Sequence, residues 1–451
     1  GAQRRGCGFA KGNKVMKLSV IGCGYLGAVH AASMAELGHD VVGIDVDAAK
    51  VAMLSAGEAP FFEPGLPEIL QSAIASGRLR FSTDMADAQG AAVHFIGVGT
   101  PQRKGENAAD LTYVDAAIDA LIPYLSDGDL IAGKSTVPVG TAERLAAKVT
   151  ASSGALLAWN PEFLREGFAV KDTIEPDRLV YGVPEGVDGA RAKEILDEVY
   201  ATALSHDTPL VVTDYATAEL VKVSANAFLA TKISFINAMA EIADATGADV
   251  TQLADAIGFD ARIGRRFLNA GVGFGGGCLP KDIRAFTARA EELGRGESVA
   301  FLKEVDSINL RQRDRVVDMV VDALGGNVFQ KKVAVLGLAF KPSSDDIRDS
   351  PALDVAVRLH GLGAEVVATD PEAIANSRRL HPQLTFTSDP MEALAGADIV
   401  VVVTEWNEFR QLGPADVSAV ASGRIIIDGR NCLDASAWRD AGWIYKGLGR
   451  P

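Results

Sequence analysis

Cysteine is scarce in this chain of 451 residues: Cys7, Cys23, Cys278 and Cys432 are scattered, with no Cys-x-x-Cys pair. The scatter excludes a disulfide framework and offers no zinc-ligand spacing, so no metal is expected. Thiols used this way fit a reducing cytoplasm. Aromatic residues reach only 6%. No apolar run approaches the roughly 18 residues of a membrane span. Positive charge is also short: Lys and Arg number 44 against 59 Asp and Glu, a net charge of −15. So acidic a chain is a poor general binder of nucleic acid or anionic membrane, although a local basic pocket for a phosphorylated ligand stays possible. The six histidines, His30, His39, His94, His206, His360 and His381, fall outside every motif below, so a histidine general base is not supported.

What is present is an ordinary globular composition, 48% hydrophobic and 23% charged, with 46 glycines and a length that suits two or three domains. Near the start, Arg4, Arg5, Lys11 and Lys14 precede an apolar stretch at 18–29 and imitate a signal peptide. A strand–turn–helix explains that stretch better. Met16 reads as the natural start, and residues 1–15 as an upstream extension or expression remnant.

Residues 17–22 predict a short buried strand. A helical pattern follows to Leu37, then a Gly38 stop and a strand Asp40–Ile44 ending at Asp45. Further strands are expected at 92–98, 130–134 and 155–159, with helices between them, so the sheet should be parallel and covered on both faces. A second copy begins late, with strands at 331–336, 365–369, 399–403 and 424–427 and a helix at 351–362. Between the copies, 214–246 is helix-periodic with no proline or internal glycine. It is long enough to join two domains and form a dimer interface, or to be one long core helix of a monomer. The expected fold is α/β: two Rossmann-like parallel-sheet domains joined by a long central helix in a helical middle domain. The expected boundaries are 16–212, 213–325 and 326–451.

Five stretches can carry chemistry. In Gly22-x-Gly24-x-x-Gly27, Gly22 permits a tight turn, Gly24 lets the backbone reach a pyrophosphate, and Gly27 lets helix and strand pack closely. Asp45 would accept hydrogen bonds from the ribose hydroxyls and repel a 2′-phosphate, favouring NAD over NADP; FAD is the other candidate of that class. The second copy reads Gly337-Leu338-Ala339-Phe340-Lys341, has no second glycine, and should take a different ligand.

The stretch 134–141, KSTVPVGT, sits at a strand's end, where Thr141 could simply cap the next helix. Thr100-Pro101, also at a strand end, could line the cofactor site. In 160–167, NPEFLREG, Glu162 and Glu166 lie four apart and would share a helix face, as a catalytic or a plain surface pair. In 271–282, GVGFGGGCLPKD, five glycines precede Cys278. A backbone wrapped against a ligand and presenting a thiol explains the run better than a flexible loop before a buried cysteine. Lys281 and Asp282 are close enough to tune the thiol. Lys222 and Asn226 lie one turn apart on the long helix, either facing inward or forming a solvated stripe.

In order, the motifs GCGYLG, Asp45, STVPVGT, NPEFLREG, the Lys222/Asn226 helix, DARIGRRFLNAGVGFGGGCLPKD, AFKPSSDDIRDSP and DGRN resemble those of the UDP-glucose/GDP-mannose dehydrogenase family across 16–451. One departure is Gly277, where a serine is common; it should loosen the loop. The resemblance implies NAD-dependent, two-step oxidation of UDP-glucose at C6 to UDP-glucuronate in the cytoplasm. A thiohemiacetal and then a thioester would form on Cys278. Lys222 would stabilise oxyanions, Asp282 and Thr136 hold the water or C6 hydroxyl, Glu162 transfer protons, and Asn226 orient the sugar. It implies cofactor contacts from Gly22, Gly24, Tyr25, Leu26, Gly27, Asp45, Lys50, Thr100, Thr136, Lys281 and Glu166, the last near the nicotinamide. Substrate contacts would come from Glu162, Phe163, Leu164, Lys222, Asn226, Phe267, Leu268, Gly275, Phe340, Lys341 and Arg430, with Arg262 reaching in from the other protomer of a homodimer. GDP-mannose or another nucleotide sugar remains an alternative substrate, and a nucleotide-binding sensor without turnover an alternative of another class.

Overall fold

The structure, a computed structural model, describes residues 13–451. Arg4, Arg5, Cys7 and Lys11 of the upstream extension lie outside the described residues. Two compact units divide the chain, one ending at Ser224 and the other beginning at Ala225.

The first unit is built on eight strands: β1 (Lys17–Ile21), β2 (Asp40–Ile44), β3 (Leu79–Ser82), β4 (Val93–Ile96), β5 (Leu130–Gly133), β6 (Leu156–Trp159), β7 (Leu179–Gly182) and β8 (Leu210–Thr213). Their order is β3-β2-β1-β4-β5-β6-β7-β8. The first six follow the doubly wound 3-2-1-4-5-6 pattern, whose chain reversal between β1 and β4 leaves a crevice at the strands' carboxyl ends. Leu18, Val20 and Phe95 pack on one face of the sheet, and Ile21, Ile96 and Ile131 on the other. Each such side chain contributes about 1.5–3 kcal/mol by leaving water.

One polar chain threads the sheet. Ser19 Oγ lies 2.7 Å from His94 Nδ1, and His94 Nε2 lies 3.0 Å from Asp129 Oδ2. The order imitates a hydrolase triad, but Ser19 and His94 are 0% exposed, so no substrate reaches them. The three satisfy one another's buried polar groups.

The sheet departs from the all-parallel expectation at one place. β7 runs antiparallel to β6 and meets it at Trp159 and Gly182. A parallel neighbour needs a crossover along a sheet face. The connection from β6 to β7 carries one short helix, Ala169–Ile174; its length does not force the reversal, since the second unit's strands Ile425–Asp428 and Ile444–Gly447 pair in parallel across an equally short helix, Ala435–Asp440.

The second unit holds a six-stranded, fully parallel sheet: β9 (Lys332–Leu336), β10 (Glu365–Thr369), β11 (Thr385–Phe386), β12 (Ile399–Val402), β13 (Ile425–Asp428) and β14 (Ile444–Gly447). Its order, β11-β10-β9-β12-β13-β14, repeats the 3-2-1-4-5-6 pattern. The long helix is Tyr215–Thr246, 32 residues and about 48 Å, starting one residue after the expected 214. Asp214 stays outside because its Oδ1 accepts the Thr217 N–H at 2.7 Å, as an N-cap does.

Just beyond β10, Asp370 is buried and organises the second unit. Its Oδ2 accepts the N–H groups of Leu338 and Ala339 at 2.8 and 3.0 Å and the Trp406 indole N–H at 3.1 Å. Its Oδ1 accepts the N–H groups of Glu372 and Ala373, both at 2.9 Å. Asp370→Ala strands these buried donors, each at about 1–3 kcal/mol. The variant is expected to lose about 3–5 kcal/mol of second-unit stability in urea, followed by the fluorescence of Trp406, Trp438 and Trp443. A loss below about 1 kcal/mol would show the donors re-satisfied elsewhere.

Candidate active site

In the first unit the candidate residues gather on the loops that leave the strands' carboxyl ends. After β1 the chain turns through Gly22, whose φ of +89° is left-handed and closed to most side chains. A Cβ on Gly27 would overlap the Gly22 carbonyl oxygen, so this glycine serves helix–strand packing. Gly24 is different. A Cβ there would meet no protein atom within 4 Å, so packing within the chain does not explain the glycine. Gly24 is the N-cap of helix Tyr25–Glu36, and no side chain caps that helix. Open space above an uncapped helix N-terminus, with no side chain in the way, suits a pyrophosphate.

Asp45, at the end of β2, faces the same turn. Its Oδ2 accepts the Cys23 N–H at 2.8 Å and lies 3.3 Å from Lys50 Nζ, and its Oδ1 accepts the Asp47 N–H at 2.9 Å. Burial and the Asp45 charge push the Cys23 thiol up to about 12, which leaves it inert. These residues fit a dinucleotide: glycine where the phosphates approach, and a carboxylate where a ribose would lie.

The loops after β4, β5 and β6 are tied together. Thr100 Oγ1 donates to the Thr136 carbonyl at 2.7 Å, Ser135 Oγ to the Val98 carbonyl at 2.6 Å, and Trp159 Nε1 to the Ser135 carbonyl at 3.1 Å. Thr141 does not cap its helix, contrary to expectation. It is the first helical residue, and Gly140 holds the cap position at φ 100°. The capping acceptor is the buried Glu219 carboxylate, which takes the Gly140 and Ala142 N–H groups at 3.3 and 3.2 Å.

The helix face expected for Glu162 and Glu166 is absent; both lie on the loop between β6 and helix Ala169–Ile174, Glu162 in irregular chain and Glu166 in a turn. Pro161 and a local bond, Leu164 N–H to Glu162 Oε2 at 2.5 Å, fix the loop instead. Glu162 Oε1 lies 3.4 Å from Lys222 Nζ, with side chains 13% and 6% exposed. Phe163 lies beneath cations: the Arg178 guanidinium is 3.6 Å and Lys222 Nζ 5.5 Å from its ring centre. Glu63, which the sequence reading passed over, clamps the loop to the glycine turn. Its carboxylate accepts the Tyr25 hydroxyl at 2.6 Å and the Gly167 and Ala169 N–H groups, both at 2.9 Å. Burial, then this bond, pushes the Tyr25 hydroxyl up, and the charge of Glu166 adds to the effect. A lone acid inside the otherwise apolar 59–66 was the available signal.

In the second unit Cys278 is exposed and forms the N-cap of helix Leu279–Glu292. A helix N-terminus favours a thiolate. One turn on, Asp282 is 2% exposed. It accepts the Asn226 side-chain N–H at 2.7 Å on Oδ2 and pairs with Lys281 at 2.7 Å on Oδ1. Lys281, expected at the cofactor, is thus engaged with Asp282 in this unit.

The glycine run is pinned by the chain itself. Gly271 N–H donates to Asn237 Oδ1, Phe274 N–H to Asn309 Oδ1, and Gly276 N–H to the Arg348 carbonyl, at 2.9, 2.7 and 2.8 Å. A Cβ on Gly276 would stand 2.7 Å from the Phe340 ring, and one on Gly275 would overlap the Asp349 carbonyl. The glycines admit neighbouring segments of this unit, which corrects the expectation that a ligand explains them. At Gly277 a Cβ would meet only the Arg348 guanidinium, the far end of a flexible side chain that can move aside.

Arg430 is committed to main chain. Its Nε, Nη1 and Nη2 donate to the carbonyls of Val403, Gly273 and Phe340 at 3.0, 2.8 and 3.2 Å. Lys341 Nζ lies 5.6 Å from the Phe340 ring centre. Leu268 is a core residue packed with Ile236 and Ala240, so its side chain is not at a surface, whereas Phe267 is exposed at φ 65°. Arg262 is 89% exposed and pairs with Asp260 at 2.7 Å. Among the described residues no cluster of His, Cys, Asp or Glu could hold a metal ion, and no helix is long and apolar enough to cross a membrane.

Comparison with known proteins agrees with this geometry. Three models of the UDP-glucose/GDP-mannose dehydrogenase family match: the NAD binding domain at 16–204, the central domain at 216–311 and the UDP binding domain at 334–435. A UDP-glucose 6-dehydrogenase of Rhizobium meliloti is 42% identical over 97% of this chain and 100% of its own length. One of Bacillus subtilis is 40% identical over 96% and 93%. The solved UDP-glucose dehydrogenase of Pyrobaculum islandicum superposes with a TM-score of 0.89 at 39% identity, covering 98% of this chain and 99% of that one. With the dinucleotide turn, the Glu162–Lys222 pair and the Cys278 helix all falling inside matched segments, the chain belongs to the UDP-glucose/GDP-mannose dehydrogenase family.

Proposed function

We propose that this chain catalyses the NAD-dependent, four-electron oxidation of UDP-glucose at C6 to UDP-glucuronate. One observation carries the reading: a chain alike over nearly its whole length to UDP-glucose 6-dehydrogenases presents an exposed Cys278 at a helix N-terminus, one turn before buried Asp282. The domains implied are an NAD-binding part at 16–212, a central helical part at 213–325 and a UDP-sugar-binding part at 326–451. The cytoplasm, where sugar nucleotides and NAD meet, is the compartment this reading requires.

Bound NAD+ supplies the hydride acceptor for both oxidations. Gly22, Gly24, Tyr25, Leu26, Gly27, Asp45, Lys50, Thr100, Thr136 and Glu166 would hold it, with Lys281 assisting through Asp282. Thr136 and Asp282 would hold the C6 hydroxyl, and its proton would pass to solvent water as the alcohol becomes an aldehyde. The Cys278 sulfur adds to the aldehyde carbon, giving a thiohemiacetal, and the second oxidation leaves a thioester. Lys222 stabilises each oxyanion, and its position beside Glu162 keeps the ammonium fixed before charge develops. Water then attacks the acyl carbon, Glu162 takes the proton, and the Cys278 thiolate leaves. Asn226 orients the sugar. Phe163, Leu164, Phe267, Gly275, Phe340 and Lys341 grip the nucleotide half. Leu268 acts through its main chain, and Arg430 by fixing the Gly273 and Phe340 carbonyls.

A homodimer belongs to the same proposal. Phe228, Phe235 and Ile242 are 68%, 49% and 56% exposed and recur every seven residues on the long helix, a stripe suited to a second copy. Arg262, exposed on the same unit, would then serve the neighbouring sugar site.

Three outcomes are expected. Incubated with a panel of nucleotide sugars, the purified protein should form two NADH per UDP-glucose and little or none with GDP-mannose. Preference for another sugar redirects the substrate, and no NADH with any sugar favours a sensor. Cys278→Ala should still bind NAD but release no UDP-glucuronate, because the thiol is outside the cofactor turn; normal acid output in that variant removes the thioester from the reaction. Gly24→Ala should unfold like the parent, since its Cβ meets no protein atom, yet bind NAD at least ~10-fold more weakly by calorimetry. Unchanged affinity would place the pyrophosphate elsewhere.

A further inference from the structure

A cavity of about 40 Å³ lies in the first unit; its wall shares Leu26, Glu162, Phe163 and Leu164 with the reaction above, which gives His30 and Lys134 no role. Leu26, His30, Lys134, Glu162 and Tyr200 are in its wall. The volume holds two or three waters at roughly 10–15 Å³ each. Polar atoms are placed to bind them. His30 is 2% exposed, and its Nε2 has no hydrogen-bond partner among the described residues. Lys134 is also buried. Its Nζ donates to Asn160 Oδ1 at 3.0 Å and to the Tyr200 hydroxyl at 3.3 Å. An ammonium has three donors, so one more remains for the cavity. Glu162, two residues beyond Asn160, completes the wall on the substrate side of the loop.

We propose that water in this cavity links Lys134 to Glu162, and that Lys134 stores the proton Glu162 removes from the water attacking the thioester. The inference rests on the reaction proposed above. An O–H bond of the attacking water breaks, its oxygen adds to the acyl carbon, and the proton goes to the Glu162 carboxylate. Glu162 passes it through cavity water to the neutral Lys134 amine, which becomes the ammonium. The C–S bond breaks, Cys278 leaves as thiolate, and the carboxylic acid product ionises to solvent. The ammonium releases its proton to solvent before the next turnover. Because Lys134 acts through Glu162, it is a positioning residue for the proton.

The charge environment permits both states of Lys134. Burial lowers its pKa from 10.5 to about 7; Glu162 opposes the shift and Lys222 adds to it. His30 is pushed down by burial and is neutral, able to bond water as donor or acceptor. Tyr200 is pushed up by burial and keeps its proton. Asp172, Asp177 and Arg178 lie further along the wall. Below pH 7 the ammonium has no room for a further proton, so kcat should fall on the acid side, and above pH 7 the amine is ready to accept.

The test is the pH profile of kcat in the full chain. The parent should show an acid limb near pH 7. Lys134→Arg keeps a cation and donors for Asn160 but never deprotonates. It should lose that limb and about 10–100-fold in kcat, with KM for UDP-glucose and NAD within about 2-fold. If Lys134 only braces Asn160, arginine restores kcat and the limb, and the proposal is overturned. Should the arginine fail to fold, the near-isosteric Lys134→Met must also lose the limb. Independently, a high-resolution crystal structure of the unaltered protein should show water within hydrogen-bond distance of His30 Nε2 and Lys134 Nζ; a dry cavity overturns the proposal. A parent that forms no NADH from UDP-glucose defeats the functional reading itself. Turnover with an unmoved limb in both variants defeats only the proton store.

Discussion

The pairing of Lys222 with Glu162 is the constraint around which the first unit is arranged. At 3.4 Å and nearly out of water, the two charges lose much of their hydration, and their attraction only partly returns that cost. Apolar residues in both places would fold as well or better. A pair of this kind is kept for its charges. Its surroundings show how it is held. Glu219, one turn before Lys222 on the same helix, binds the N-terminus of helix Thr141–Ser152 through two N–H groups. Glu63 binds the far end of the Glu162 loop through two more and ties it to Tyr25 at the dinucleotide turn. Lys134 and Asn160 fix the near end. Three buried charged groups thus hold one buried ion pair, and none of the three touches the reacting atoms in the proposed reaction.

Much of the fold was legible in the sequence, because strand, glycine turn and acid recur at spacings that only a β–α–β unit explains. The strands that were expected fall within a residue or two of their places, whereas β3, β7, β8, β11 and β14 were not anticipated. What the sequence hid was set by tertiary partners. Thr141 looked like a cap because threonine is a good one, but a carboxylate from a distant helix reached the N–H groups first. Glu162 and Glu166 looked helical because their spacing is helical, yet the Glu162–Leu164 bond holds Glu162 in irregular chain and Glu166 lies in a turn. The reversal of β7 is a matter of strand direction, which no periodicity reports.

The glycine run before Cys278 shows the same limit at the candidate site. Its composition announced that something presses on the backbone. Whether that something was a ligand or another part of the chain could not be read from glycine alone. Asn309, Asp349, Phe340 and Arg348 occupy the space around it. The consequence is rigidity: the segment that presents Cys278 is held by bonds from Asn237, Asn309 and Arg430. In the proposed reaction the sulfur must add to an aldehyde carbon and stay bonded to it through the second oxidation, and such fixing serves that.

The two sheets share a strand order, and comparing their acids explains why they need not share a ligand. Asp45 and Asp370 stand at equivalent places, just beyond the second strand. A carboxylate offers about four lone-pair sites. Asp370 already accepts from Leu338, Ala339, Trp406, Glu372 and Ala373, so nothing is left for a ribose. Asp45 accepts from Cys23, Asp47 and Lys50, which leaves capacity. The glycines tell the same story. Gly24 opens onto empty space, whereas Ala339, the residue at the corresponding place two beyond the first glycine, is fully buried. In the second unit the acid and the turn have been turned inward to hold the chain, so any nucleotide bound there must be recognised by other groups.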